Sequence, residues 1–200
     1  MAFIQQQFAK SLQPAPSKFS TTSNKSGKSI PTAYFSSEKQ HSSFFRPTKW
    51  AKTNDAIVHG IPNNTLIEEG DVISIDVGVS YEGYHADAAF TYGVGEISDE
   101  DRFLIETTKH ALSEAVKLVK DGQKLGTIGH KIDKIATKKN LGNVRNYVGH
   151  GIGQEMHEEP QVPHYGKKNT GFELKTGMAI CIEPMFNLGS EDTMVDKDGW

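Results

Sequence analysis

Residues 71–80 read DVISIDVGVS. Ile73, Ile75, Val77 and Val79 recur at every second position, the period of a strand whose side chains point alternately to two faces. Tyr81, Glu82 and Gly83 follow as a hairpin turn, and residues 84–92 (YHADAAFTY) as the returning strand. Beyond the hairpin the period changes to that of a helix. Ser98, with Asp101 three residues on, marks a helix start of the capping-box kind. Phe103, Leu104, Ala111, Leu112, Ala115, Val116 and Val119 then recur at helical spacing, and Gly122 closes that helix. Leu125, Ile128, Ile132 and Ile135 predict a second amphipathic helix reaching about Lys139. Residues 144–148, 179–183 and 193–195 read as further strands, and residues 56–58 as a short strand ending in the turn His59-Gly60-Ile61-Pro62. A hairpin, two helices and then more strands predict an α+β domain, an antiparallel sheet covered by helices.

The hairpin also carries the first chemical signal. Asp76 lies inside the apolar strand SIDVG, and Asp87 lies on the return arm in HADAAF. A buried carboxylate costs several kcal/mol unless a cation faces it. Lys or Arg partners at the surface are one solution, and a bound metal is the other. Three further segments favour the metal. YVGHGIG sets His150 between glycines, MHEEP adds His157, and AICIEPM ends an apolar strand on Glu183. Asp76, Asp87, His150 and Glu183 form an oxygen-rich set with one imidazole, which suits Mn, Fe, Co or Zn better than Ca or Mg. Two bridged cations would neutralise such a cluster and supply a nucleophilic hydroxide near neutral pH.

Composition narrows the rest. The chain has 200 residues, 36% apolar and 24% charged, enough for one domain with a core. No apolar run approaches the ~18 residues of a membrane span. The single cysteine, Cys181, excludes an internal disulfide and a multi-cysteine zinc site, and is consistent with a reducing, cytoplasmic setting. Between Ile180 and Ile182, Cys181 reads as a buried strand residue rather than a nucleophile. The net charge of −3 conceals an asymmetry: residues 1–50 carry seven Lys and Arg against one acid, Glu38. Residues 1–46, rich in Ser and Lys and without a sustained apolar period, read as a disordered tail, and residues 47–200 as the domain. A transit peptide is a rival reading of the tail, weakened because Arg46 is its only arginine. Scattered lysines without interleaved aromatics give no nucleic-acid site.

In this order and spacing, His59-Gly60-Ile61-Pro62, SIDVG around Asp76, Asp87, GHGIG around His150, HEEPQVPHYG from His157 and IEPM around Glu183 resemble type I methionine aminopeptidases. The resemblance runs from about residue 54 to Trp200. It implies the pita-bread fold and a metal-dependent aminopeptidase that removes the initiator methionine from nascent proteins by a metal-activated hydroxide. It implies two divalent metal ions (Co, Mn, Fe or Zn), with Asp76 a ligand of one, Asp87 bridging both, and His150 and Glu183 ligands of the second. Glu183 would also act as general base. His157 would hydrogen-bond the scissile carbonyl, and His59 the amide nitrogen on the leaving side. Tyr147, Met156 and Trp200 would wall the methionine side chain. The implied partners are nascent N-termini, at the ribosome, with the enzyme a monomer away from membranes.

Two departures accompany the resemblance. The family pattern has a fifth ligand, a bridging glutamate on a strand beyond the position of Trp200, and Asp192, Asp196 and Asp198 do not sit in that motif. Without that central strand its neighbours' edges would be exposed. The helical segment ahead of the HGIP motif is replaced by the Ser/Lys-rich tail. An incomplete pita-bread fold is therefore expected. Alternatives are an inactive fragment, a non-catalytic binding module of the same fold, and a related X-Pro metallopeptidase.

Overall fold

The structure, a computed structural model, describes residues 3–5, 7–11, 48–53, 56–58, 64 and 66–195, the first three of these segments by their backbone. In chain order the elements are β1 (Phe3–Gln5), β2 (Gln7–Ser11), β3 (Thr48–Thr53), β4 (Val72–Tyr81), β5 (Tyr84–Gly93), α1 (Asp99–Val116), α2 (Leu125–Lys138), β6 (Leu141–Asn143), β7 (Gly149–Gly151), β8 (Glu158–Val162), β9 (Ala179–Ile182) and β10 (Met185–Leu188). A seven-stranded sheet runs β3-β4-β5-β2-β9-β7-β8, and a three-stranded sheet runs β1-β10-β6. The strand pairs are antiparallel. The architecture is α+β, as the alternation of periods predicted.

The hairpin forms where expected. Tyr81 pairs with Tyr84 across a two-residue turn, and Glu82 and Gly83 both take positive φ, 50° and 82°. That conformation matches the right-handed twist of the arms and favours glycine at the second position. Helix α1 starts on Ser98, whose Oγ accepts the Asp101 N–H at 3.0 Å. It stops at Val116, short of Gly122, which sits in a following turn with φ 72°. Val119 is nonetheless buried, so its apolar character reports burial after the helix rather than a further helical turn. Leu104, Ala111 and Ala115 of α1 and Ile128, Ile132 and Ala136 of α2 pack with Ile180, Ile182 and Phe186 from the sheets. Ile180 and Ile182 of β9 face the helices, which leaves Cys181, between them, facing the other way.

Several expected strands moved. Residues 144–148 connect β6 to β7 instead of forming a strand; the Val144 N–H bonds to Met185 O, and Arg145 reaches Glu191 at 2.7 Å. Residues 56–58 and 193–195 are not strands either, while β8 and β10 were not foreseen. Short apolar runs report burial and not pairing partners, which explains both kinds of difference.

The largest correction concerns the amino-terminal stretch. Residues 3–5 and 7–11 lie in the segment read as a disordered tail, yet both are strands. Strand β2 sits between β5 and β9, with Phe8 in register with Ala88 on one side and Ile182 on the other. Strand β2 thus pairs the facing edges of β5 and β9. An unpaired row of backbone donors and acceptors at the centre of a sheet is costly, and a strand from elsewhere in the chain satisfies it. Among the described residues no helix is long and apolar enough to cross a membrane.

Candidate metal centre

Strand register brings the carboxylates of the hairpin together. Asp76 lies opposite Ala89, and Asp87 opposite Gly78, so the two acids are diagonal neighbours on one face. Asp76 is only 5% exposed. His150 stands at the centre of β7, and Glu183 directly follows the end of β9; both are buried.

The glycines around His150 allow close strand packing. A Cβ on Gly149 would lie 2.1 Å from the Cys181 carbonyl oxygen, and one on Gly151 would lie 2.3 Å from the Glu159 carbonyl oxygen. They admit β7 between β8 and β9, and this close packing delivers the imidazole to the acids.

The His150 ring then has a defined orientation. Its Nδ1 donates to the Gly151 carbonyl at 2.8 Å. Burial lowers its pKa, opposed by that backbone bond and by the charge of Asp76, with His157 adding to the depression. The neutral ring therefore presents the Nε2 lone pair to Glu183 Oε1 at 3.4 Å and to Asp87 Oδ2 at 3.8 Å. Three acceptor atoms face one another, an arrangement that repels unless a cation lies among them. A backbone-bonded Nδ1–H is also how metal-binding histidines are usually oriented. The donor set fits a divalent cation, and Asp76, Asp87, His150 and Glu183 would hold it.

Further support surrounds this cluster. The His157 ring lies 4.3 Å from that of His150, tilted by 55°, with an exposed side chain. A cleft of about 500 Å³ opens there, lined among others by Val58, Tyr147, His150, His157, Glu183 and Met185. Met156 is not among the residues that line this cleft, but its methyl group would touch a Cβ on Gly78, which shares a face with Asp76 and Asp87. His59 and Trp200 lie outside the described residues.

Two residues near the centre carried no role in the sequence reading. His164 is fully buried, and its Nε2 accepts the Glu183 N–H at 3.1 Å. Asn143 donates both to the His164 carbonyl and to Asp133, each at 2.9 Å, which ties α2 and β6 to the end of β9. Cys181 is the other: an Asp87 oxygen, a His150 nitrogen and Cys181 Sγ all lie within 4.8 Å of one another. The HYG context of His164 gave a faint signal; the apolar flanks of Cys181 concealed its position.

Comparison with known proteins agrees with this chemistry. The family model described as "Metallopeptidase family M24" matches residues 12–199. Methionine aminopeptidase 1 of Bacillus subtilis is 45% identical over 156 residues, covering 78% of this chain and 63% of that protein. The crystal structure of methionine aminopeptidase from Thermotoga maritima superposes with a TM-score of 0.74 at 40% identity, covering 76% of this chain and 61% of that one. That from Rickettsia prowazekii gives the same TM-score and identity over 76% and 62%. The chain thus spans a little over three-fifths of each of these three relatives, and its mixed sheet and helices are part of their pita-bread fold. A cluster of facing acids and imidazole, on this fold and in this order along the chain, makes the protein a member of metallopeptidase family M24, whose members use divalent metal.

Proposed function

We propose that this chain is a metal-dependent aminopeptidase that removes the initiator methionine from nascent proteins. The observation that carries the reading is the His150 Nε2 lone pair facing Glu183 and Asp87 at the floor of an open cleft. The names of the similar proteins support the substrate, since all three are methionine aminopeptidases.

A divalent cation held there supplies a water acidified toward neutral pH and polarises the scissile carbonyl. The chain's own groups do the rest. Asp76, Asp87, His150 and Glu183 hold the cation, with one or two ions of Co, Mn, Fe or Zn. Glu183 takes a proton from the attacking water. His157, exposed above His150, donates to the oxygen on which charge develops; losing one such donor costs ~10²–10³ in rate. Tyr147 and Met185 line the apolar part of the cleft for a thioether side chain. His59 on the leaving-group side and Trp200 as a further wall rest on the motif match alone, and Met156 reaches over Gly78 on the face that carries Asp76 and Asp87. The enzyme works as a cytoplasmic monomer on chains emerging from the ribosome, a setting consistent with its single cysteine.

The test is methionine release from the peptide Met-Ala-Ser by the purified chain with Mn²⁺ or Co²⁺, beside Asp87→Ala. Release by the wild type alone is expected. A protein that binds metal yet releases no methionine overturns the reading.

A further inference from the structure

We propose that Cys181 is a thiolate ligand of the cation held by Asp87 and His150, and that it tilts the site toward Zn²⁺ and away from Mn²⁺. The proposal rests on the metal-centre reading above and adds a donor of a different chemical kind. Cys181 precedes Glu183 by two residues, and on an extended segment residues two apart share a face. The thiol therefore points to the same side as the carboxylate. Its sulfur, an Asp87 oxygen and a His150 nitrogen lie within 4.8 Å of one another. A tetrahedral shell with bonds of about 2.0–2.3 Å holds its donors roughly 3.3–3.8 Å apart, so the three atoms need to close by about 1 Å to share one ion.

The backbone holds the sulfur in place. Gly149 packs so tightly on the Cys181 carbonyl that no Cβ fits between them, which keeps β9 against the strand carrying His150. Cys181 is fully buried, so its neighbours and not bulk water decide what it meets. On binding, the S–H bond breaks, the sulfur keeps the electron pair and donates it to the cation, and the proton leaves to solvent. No oxidation occurs. A shell of carboxylate and imidazole alone suits Mn²⁺ well, whereas a thiolate favours softer ions such as Zn²⁺.

The experiment titrates the full metal-free chain with Co²⁺ and reads absorption. Because the chain has one cysteine, a sulfur-to-cobalt charge-transfer band in the near ultraviolet reports Cys181. The expected result is a band that saturates with bound Co²⁺ and is absent in Cys181→Ser, with the far-ultraviolet circular dichroism unchanged. Zn²⁺ affinity should fall at least ~10–100-fold in that variant, the loss that even outer partners of a metal ligand carry, with little change for Mn²⁺. Full Co²⁺ occupancy without the band, or a band that persists in Cys181→Ser, overturns the proposal and leaves the metal centre standing. No Co²⁺ binding at all overturns both. Should Cys181→Ser fail to fold, Cd²⁺ added to the wild type decides: a sulfur-to-cadmium band sustains the thiolate and its absence refutes it.

Discussion

The buried ring of His164 accepts the backbone N–H of Glu183 at 3.1 Å. An imidazole accepts only through an unprotonated nitrogen, so the bond requires a neutral ring with its proton on Nδ1. Burial enforces this by pushing the His164 pKa down to about 3. A residue absent from the cleft lining thus fixes the backbone of the carboxylate that faces His150.

His164 makes the metal-free protein sensitive to acid. The unfolded chain takes up a proton near the ordinary value of 6.5, which the folded ring refuses until about 3. Stability from this group is full above about pH 6.5 and is lost as pH falls toward 3. With chelator present, the urea midpoint should drop between about pH 7.5 and about pH 5, and His164→Gln should flatten that slope while keeping an acceptor for the Glu183 N–H. His164→Leu orphans that N–H and should cost ~1–3 kcal/mol even at neutral pH. Equal slopes in wild type and His164→Gln would show that the ring is not the group responsible.

Metal should stabilise the fold through the facing acceptors. At a free concentration about 100 times Kd, a cation bound only by the native state adds ~2.7 kcal/mol. For a chain of this length that raises Tm by roughly 5–10 °C, and chelator should reverse it. Asp87→Asn keeps the shape of the side chain and removes its charge, so the shift should shrink sharply. Scanning calorimetry with and without Zn²⁺ or Co²⁺ measures it; an undiminished shift in Asp87→Asn would place the ion elsewhere.

Gly149→Ala tests the packing that delivers His150. The added methyl meets the Cys181 carbonyl oxygen at 2.1 Å and Val162 Cβ at 3.2 Å. Backbone cannot step aside as a side-chain tip can, so a loss of ~1–3 kcal/mol is expected. Metal affinity should fall with it, since parting β7 from β9 carries the imidazole away from Glu183. Denaturant unfolding with parallel metal titration reads both, and a variant normal in both would refute the close approach.

Beginning the chain at residue 12 removes β1 and β2. It leaves the facing edges of β5 and β9 without the strand that pairs with both. Bare edges template association between molecules, so the shortened protein should self-associate more than the full chain. Sedimentation velocity checks this. A shortened chain that stays at the full chain's oligomeric state and melts at the same temperature would show that β2 contributes nothing to the sheet.

The hairpin and helices were legible because their signals are local. The strand period over 72–81, the Glu82-Gly83 turn and the Ser98 cap each act within a few residues and each appears in the structure, although the strand's better buried face is that of Val72, Ser74 and Asp76 and not that of Ile75. Helix α2 ends within one residue of its expected limit for the same reason. Strand β2 was not legible, since Phe8 pairs with Ala88 and Ile182, far along the chain. Such partners are chosen by the edges available in the folded sheet.

The same division runs through the site. Asp76, Asp87, His150 and Glu183 stood out in the sequence because each placed an ionisable group or a glycine-flanked imidazole in an apolar context, where an uncompensated charge is too costly to keep. That much is a property of composition and spacing, and it points to a cation independently of the fold. Distances, tautomer and supporting contacts came only from the tertiary structure. The lone pair of His150 is aimed by the Gly151 carbonyl, Glu183 is anchored by His164, and Cys181 is turned toward the acids by its place on β9. Each of these depends on which strands lie side by side, and pairing is decided by burial and backbone hydrogen bonding across the whole chain.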